Sequence, residues 1–308
     1  MGNFTIKTQP PKEAMDTLKQ TILALIVSGS MVSSAAALTV TQSTDPTTLG
    51  NALQGTGLTI DSVIVNDGNA AQFATYTGFT SPPVTLADGV VISTGQAIQT
   101  TAAFHSSSST PGIVTPSTDL GGGSTPEFDA YAAGRVANWD SAHDVASFTV
   151  NFTLPTASDI TFNWAFVSVE YPYWTSSYTD AIFGFLDGTD PANQILFDSS
   201  GNPVQVGNSF ASSVVTDDTN TAFSNPHGLL LLTTTTGSLS AGDHSLTFEI
   251  GDTNDGILDS AAFLASISAI ASTEGGPVTN PTGTPEPSTG LLLVVGAGSL
   301  AILRRRLA

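Results

Sequence analysis

Between residues 147 and 166 the chain alternates apolar and polar residues with a period of two. Phe148, Val150, Phe152 and Leu154 alternate with Ser147, Thr149, Asn151 and Thr153, and after residues 155–159 the apolar set resumes at Ile160, Phe162, Trp164 and Phe166. Successive side chains of a strand point to opposite faces, so each run predicts a strand with one buried face. Residues 155–159, led by Pro155, supply a turn, and the two strands are expected to pair as a hairpin. The same rhythm returns at Leu246, Phe248 and Ile250, and further strands are predicted in TIDSVIVN, GVVISTG, DAIFGFLDG, GLLLLTTTT and SAAFLASISAI. Only DPTTLGNALQG reads as a helix, with Asp45 as its cap and Leu49 and Leu53 four apart. Many short strands divided by Gly, Asn and Asp predict an all-β fold: an antiparallel sandwich or jelly roll. Residues 100–123 lack any strand rhythm and read as a long surface loop.

Charge narrows the function. Seven Lys and Arg face 26 Asp and Glu. Three of the seven precede residue 20 and three lie in the last five residues, so residues 38–287 keep one cation, Arg135, against 24 acids. Such a surface repels phosphate backbones, which argues against nucleic-acid binding, and attracts divalent cations or basic partners. The chain has no cysteine. Disulfides, thiolate metal sites and cysteine nucleophiles are thereby excluded.

Both ends read as addresses. Lys7, Lys12 and Lys19 precede the apolar TILALIVSGSMV and the small-residue stretch SSAAAL. That order predicts a secretory signal over residues 1–37, which hands the chain to the secretion translocon and is cleaved off before Leu38. The bland alternative is an amphipathic N-terminal helix. At the other end, residues 273–287 form a Pro/Gly/Thr spacer and residues 288–303 are sixteen positions without a charge, followed by Arg304, Arg305 and Arg306. A helix of that length reaches about 24 Å, short of the ~30 Å hydrocarbon core, so it spans with local thinning. The arginines would remain cytoplasmic. The order Pro285-Glu286-Pro287, apolar helix, arginine cluster resembles the PEP-CTERM sorting tail. The resemblance implies recognition and removal of residues 288–308 by an exosortase-type membrane protease in a bacterium that makes exopolysaccharide. A plain membrane anchor is the simpler alternative.

The body, residues 38–272, resembles the choice-of-anchor L domain of bacterial surface proteins. The carrying segments are LGNALQGTGLTI, GVVISTGQA, FNWAFVSVEYPYW, TDAIFGFLDG and HSLTFEIGDTNDGILDSAAFL, in that order over residues 49–270. The family's Phe-x-Ser-Glu-Glu-Tyr segment has Val169 in place of its first Glu, leaving Glu170 alone. If both carboxylates serve a site, the site here is weaker. The resemblance implies a surface module, not a reaction.

The densest acidic stretch is GDTNDGILDS, with Asp252, Asn254, Asp255 and Asp259. Calcium takes six to eight oxygens, which such a loop can supply. A hairpin loop whose Asn and Asp cap their own backbone is the commoner explanation of such a stretch. Counting by two from Ile160 puts Glu170 on the apolar face, where a lone carboxylate is costly unless paired or metal-bound. Its partner is then a cation, Arg135 or backbone amides, unless a bulge at Pro172 turns it outward. Glu170 and Asp180 are expected to meet across adjacent strands and share an ion with the Asp252 loop. Arg135 is expected to pair with one of the many acids. Tyr171, Tyr173, Trp174 and Tyr178 either stack on sugars or pack a sandwich edge. No Gly-x-Ser-x-Gly, His-Glu-x-x-His or phosphate-cradling loop is present, so no catalytic residue is assigned. The chain is thus expected to be exported, tethered to the inner membrane as a precursor, and then released or fixed at the cell surface. Its expected role is structural or adhesive within exopolysaccharide or biofilm. The alternative is a lectin-like protein or a carbohydrate-active enzyme on the same polymer.

Overall fold

The structure is a computed structural model. It describes residues 37–272, apart from 82, 83, 109, 111, 112, 208 and 211–218. The signal, the Pro-Glu-Pro spacer and the arginine-tipped tail lie outside the described residues. Among the described residues no helix is long and apolar enough to cross a membrane.

Two antiparallel sheets pack face to face. The larger contains β1 (Thr39–Gln42), β3 (Phe73–Ser81), β4 (Val84–Ser93), β6 (Ser158–Ser168), β9 (Gly228–Thr235), β11 (Ser260–Ala265) and β12 (Ser268–Ala271). Its order is β1-β3-β4-β11-β6-β9, and β12 continues β11 along the same edge of β6. The smaller is β2 (Thr59–Asp67), β5 (Ala142–Leu154), β10 (Gly242–Thr253), β7 (Ala181–Leu186) and β8 (Val204–Gln205). The alternating faces meet between the sheets. Phe148 and Phe152 of β5, Phe162, Trp164 and Phe166 of β6, and Phe248 and Ile250 of β10 share one buried cluster with Val90, Ile92 and Leu264. Phe248 stands 5.4 Å from Phe148 and 5.7 Å from Phe162, ring to ring. Trp164 buries its ring and donates Nε1–H to Thr234 Oγ1 at 3.0 Å, so its indole donor is paired.

Each sheet is also covered outside. Tyr76, Val91, Val167 and Phe263 form a second cluster with Ala222 and Phe223. On the smaller sheet, α2 (Pro126–Ala132) sets Phe128 and Tyr131 on Phe183 at 4.7 and 4.6 Å. Its N-cap, Thr125, accepts the Phe128 N–H. The helix α1 (Pro46–Leu53) begins as the sequence predicts: Asp45 Oδ1 accepts the Thr48 N–H at 2.7 Å, and Leu49 and Leu53 are buried.

The expected β5–β6 hairpin does not form. The chain turns at 155–157 and crosses from the smaller sheet to the larger, so the two apolar faces oppose one another instead of lying side by side. Both edges of each strand are taken by distant segments: β5 by β2 and β10, β6 by β9 and β11–β12. The β10–β11 connection, GDTNDGILD, crosses in the same way.

Candidate functional site

The inward stripe of the sandwich turns polar at one end. In β10 the stripe Leu246, Phe248, Ile250 ends at Asp252. In β7, Ile182 faces inward and Asp180 lies two residues before it. Along β6 the same parity runs from Phe166 through Ser168 to Glu170. Asp259 and Ser260 open β11 beside them. Glu170 and Asp259 therefore come from the larger sheet and Asp180 and Asp252 from the smaller one. All four carboxylates are 0% exposed.

Their partners are few. Asp180 accepts the Thr253 N–H at 3.0 Å and the Ser260 hydroxyl at 2.7 Å. Asp259 Oδ1 accepts the Thr118 N–H at 2.6 Å. Glu170 Oε2 takes a long 3.4 Å contact from the Asp180 N–H. Glu170 Oε1, Asp259 Oδ2 and both Asp252 oxygens have no hydrogen-bond partner. The Thr94 hydroxyl lies near enough to Asp252 to favour its charge, but it is directed at the Ser260 carbonyl, 3.3 Å away.

Burial is the main force on their ionisation, and the mutual charge of the group adds to it. Desolvation, then Asp180, raises Glu170 well above the usual carboxylate range. Desolvation, then the charges of Asp180 and Asp259, does the same to Asp252. Asp180 and Asp259 are each pushed up to about 7, burial outweighing the bonds they accept. No positive side chain among the described residues relieves them. Arg135 instead lies exposed over the Tyr131 ring, 4.5 Å from its centroid, and donates to the Tyr131 carbonyl. Among the described residues the expected ion pair of Arg135 is therefore absent. The Tyr131 ring, four residues back near the end of α2, is its partner instead.

A covering segment seals the group. The Pro116 carbonyl accepts the Asp259 N–H, and Asp144 collects the Leu120 and Gly122 N–H groups. The buried Gln72 amide ties Asp144 to β4 through the carbonyls of Ser93, Thr94 and Asp144. Gly95 presses directly on the group: a Cβ there would lie 1.9 Å from Asp259 Oδ2. So part of the stretch read as open loop is a lid on the carboxylates.

Of the six residues expected to hold a cation, the fold thus gathers Glu170, Asp180, Asp252 and Asp259. Glu170 and Asp180 meet between sheets and not across adjacent strands. Asp255 is half-buried nearby, and its charge is felt by Glu170 and Asp180. Asn254 is committed elsewhere. At φ 75 its side chain accepts the Asp140 N–H and donates to the carbonyls of Asn138 and Ser177, latching two neighbouring loops. Among the described residues no three His, Cys, Asp or Glu side chains are arranged around a common point as they stand. Val169 does not weaken the group. Its side chain is buried in the outer cluster, on the opposite face from Glu170, so a carboxylate there would point away. Sequence reasoning missed Thr94, Gly95, Ser260 and Asp144. Only Ser260 carried a signal, as the position two before the inward Ala262 and Leu264 of β11.

The aromatic segment beside this end is mixed. Tyr171 is half-buried against Phe210, Trp174 half-buried against the outer cluster, and Tyr173 51% exposed. Tyr173 and Trp174 stand at 70° to one another and offer no common flat face. At the opposite end of the sandwich a groove of about 810 Å³ is lined by Asp61, Asn151, Thr153, Asp187, Asp243 and His244.

These features define a β-sandwich closed over an acidic, cation-poor end. The model of the choice-of-anchor L domain matches residues 39–269, and the chain belongs to that family. The family is one of surface modules, which places the chain among exported cell-surface proteins. No curated protein and no solved structure matches it.

Proposed function

We propose that the chain is a non-enzymatic surface module with a structural or adhesive role in exopolysaccharide, delivered by its signal and released or fixed after an exosortase-type protease removes its tail. The observation that carries this reading is the sealing of the acidic cluster. Glycoside cleavage needs two carboxylates flanking a bound sugar. Here Glu170, Asp180, Asp252 and Asp259 are 0% exposed beneath Gly95 and the covering segment, beyond reach of a polymer chain. Their location at the junction of both sheets suits a rigid spacer. The anionic skin with a single central cation suits a hydrated matrix. Mass spectrometry of the mature termini, in cells with and without the protease, tests the delivery. The expected product starts at Leu38 and lacks residues 288–308. An intact chain in the cytosol overturns the reading.

A lectin-like role is the second reading, favoured by the open groove at the far end. Its Asp, Asn and Thr side chains are the polar groups a sugar hydroxyl needs. Binding to the host's purified polysaccharide, lost in Asp243→Ala, would favour it. Absence of binding would leave the structural role.

A further inference from the structure

The buried carboxylates pose a problem that the protein's own side chains do not solve. Each ionised carboxylate withdrawn from water costs several kcal/mol unless it is compensated. Hydrogen bonds compensate Asp180, whose two oxygens both accept, an arrangement that serves the ionised form. They do not compensate Asp252, with two orphaned oxygens, or Glu170 and Asp259, with one each. Four inward oxygens, all on fully buried residues and supplied by both sheets, point to something positive among them.

We infer that Glu170, Asp180, Asp252 and Asp259 bind one divalent cation, which clasps the ends of the two sheets. The donors select calcium. All are hard oxygens, with no imidazole or thiolate to favour zinc. Four carboxylates, some bidentate, reach the six to eight ligands calcium takes in flexible geometry. Magnesium keeps several waters and strict octahedral geometry, which a sealed group of crowded carboxylates does not provide. Binding requires side-chain rotation, since no three carboxylates converge as they stand. Asp252 can supply it, because only the Thr94 hydroxyl and the Asp180 carboxyl lie within reach of its oxygens, and Glu170 is held only by the long contact to Asp180. Asp180 and Asp259 are the fixed members. Asn254 is not a ligand, its amide being spent on the neighbouring loops. The inference is independent of where the chain is displayed.

The test uses the full-length protein in mild detergent, stripped with a chelator, then titrated with calcium chloride or magnesium chloride. Calorimetry at about pH 7 is expected to find about one calcium per chain, and the melting midpoint is expected to rise by several degrees at millimolar calcium, more than with magnesium. Asp252→Asn is the decisive variant, because it removes a buried charge while keeping the shape. It should melt higher than the parent in chelator yet lose the calcium response, a crossing that a merely structural Asp252 would not produce. Glu170→Gln should behave alike and covers the case in which Asp252→Asn fails to fold. Asp243→Asn, in the exposed groove, should keep the full response. The inference fails if calcium gives neither heat nor a midpoint shift while acidification alone stabilises the protein, for then the group shares protons. It fails equally if the response survives in Asp252→Asn and Glu170→Gln, or is lost in Asp243→Asn.

Discussion

Strands β7 and β10 each carry a carboxylate near both ends, and the two ends have opposite fates. At the far end, Asp187 accepts His244 Nδ1 and the Ser245 N–H, both at 2.9 Å, and the Thr153 hydroxyl lies 3.0 Å from Asp243 and 2.7 Å from Asp61. Water reaches these groups, so their charges are screened and each costs little. At the other end, Asp180 and Asp252 are 0% exposed, and burial drives both away from ionisation. Identical residue types on the same two strands are thus ordinary surface in one place and a concentrated electrostatic liability in the other. What differs is cover, supplied by residues 116–122 and by Gly95, not by the acids themselves.

If cover makes the difference, the sealed end should be intolerant where the open end is not. The largest effect is expected from Gly95→Ala. The new methyl would overlap Asp259 Oδ2, and the cost should reach upward of about 3 kcal/mol in denaturant unfolding. Gly123→Ala, with nothing within 4 Å of the added carbon, should change stability by no more than about 0.5 kcal/mol. Comparable losses in both would mean that the close approach at Gly95 is not tight. Next is a matched pair of hydroxyl deletions. Ser260→Ala leaves Asp180 Oδ2 without its donor in a dry site and should cost about 1–3 kcal/mol. Thr153→Ala, between two exposed carboxylates, should cost below about 0.5 kcal/mol, because water replaces the hydroxyl. Equal costs would erase the contrast between the ends.

Much of this arrangement is written in the alternation. The inward parity that predicts Phe166, Ile182 and Ile250 as core also predicts Glu170, Asp180 and Asp252 on the same face, so the burial of Glu170 follows from counting alone. The helix α1 is legible for a similar local reason, its cap and its two leucines lying within one short segment. Which strand lies beside which is not local information. The β5–β6 pair looks like a hairpin because its turn is short, yet the strands pair with segments up to 113 residues away, as in Ser158↔Ala271. The lid was illegible for the same cause. Thr118 contacts Asp259 across 141 positions through a backbone N–H, a group every residue except proline carries. The helix α2 was overlooked although Thr125-Pro126 is a start signal, because its apolar face is only Phe128, Tyr131 and Ala132.

Glu249 stands between the two fates on β10 and tests them by degree. It is 3% exposed, Oε1 accepts the Ser147 hydroxyl at 3.2 Å, and Oε2 has no partner. Desolvation, only partly offset by that bond, pushes it up to about 7. A carboxyl raised in the folded state is released earlier on unfolding. Its penalty is absent below the unfolded value of 4.5 and grows as pH rises to about 7, above which it is fully expressed. Glu249→Gln should therefore be roughly 2–3 kcal/mol more stable than the parent above neutrality and near-equal at acid pH. A constant difference across the range would mean that Glu249 titrates normally.

The smallest effect belongs to the open end. Burial pushes the His244 imidazole down, but the Asp187 hydrogen bond, the Ser240 carbonyl and the charges of Asp187 and Asp243 outweigh it, and the net shift is upward. A histidine raised in the folded state adds stability that is full below its unfolded value and is lost as pH climbs through the folded one. Asp187→Asn should lower the His244 midpoint in an NMR titration while changing stability below that midpoint by less than about 0.5 kcal/mol, since Asp187 is 46% exposed and solvent screens the pair. A stability loss as large as that of Ser260→Ala would show that the open end is not screened, and the distinction between the two ends of β7 and β10 would collapse. An unmoved midpoint would instead assign the shift to Asp243 and the Ser240 carbonyl, leaving the distinction intact but moving its far-end anchor from β7 to β10.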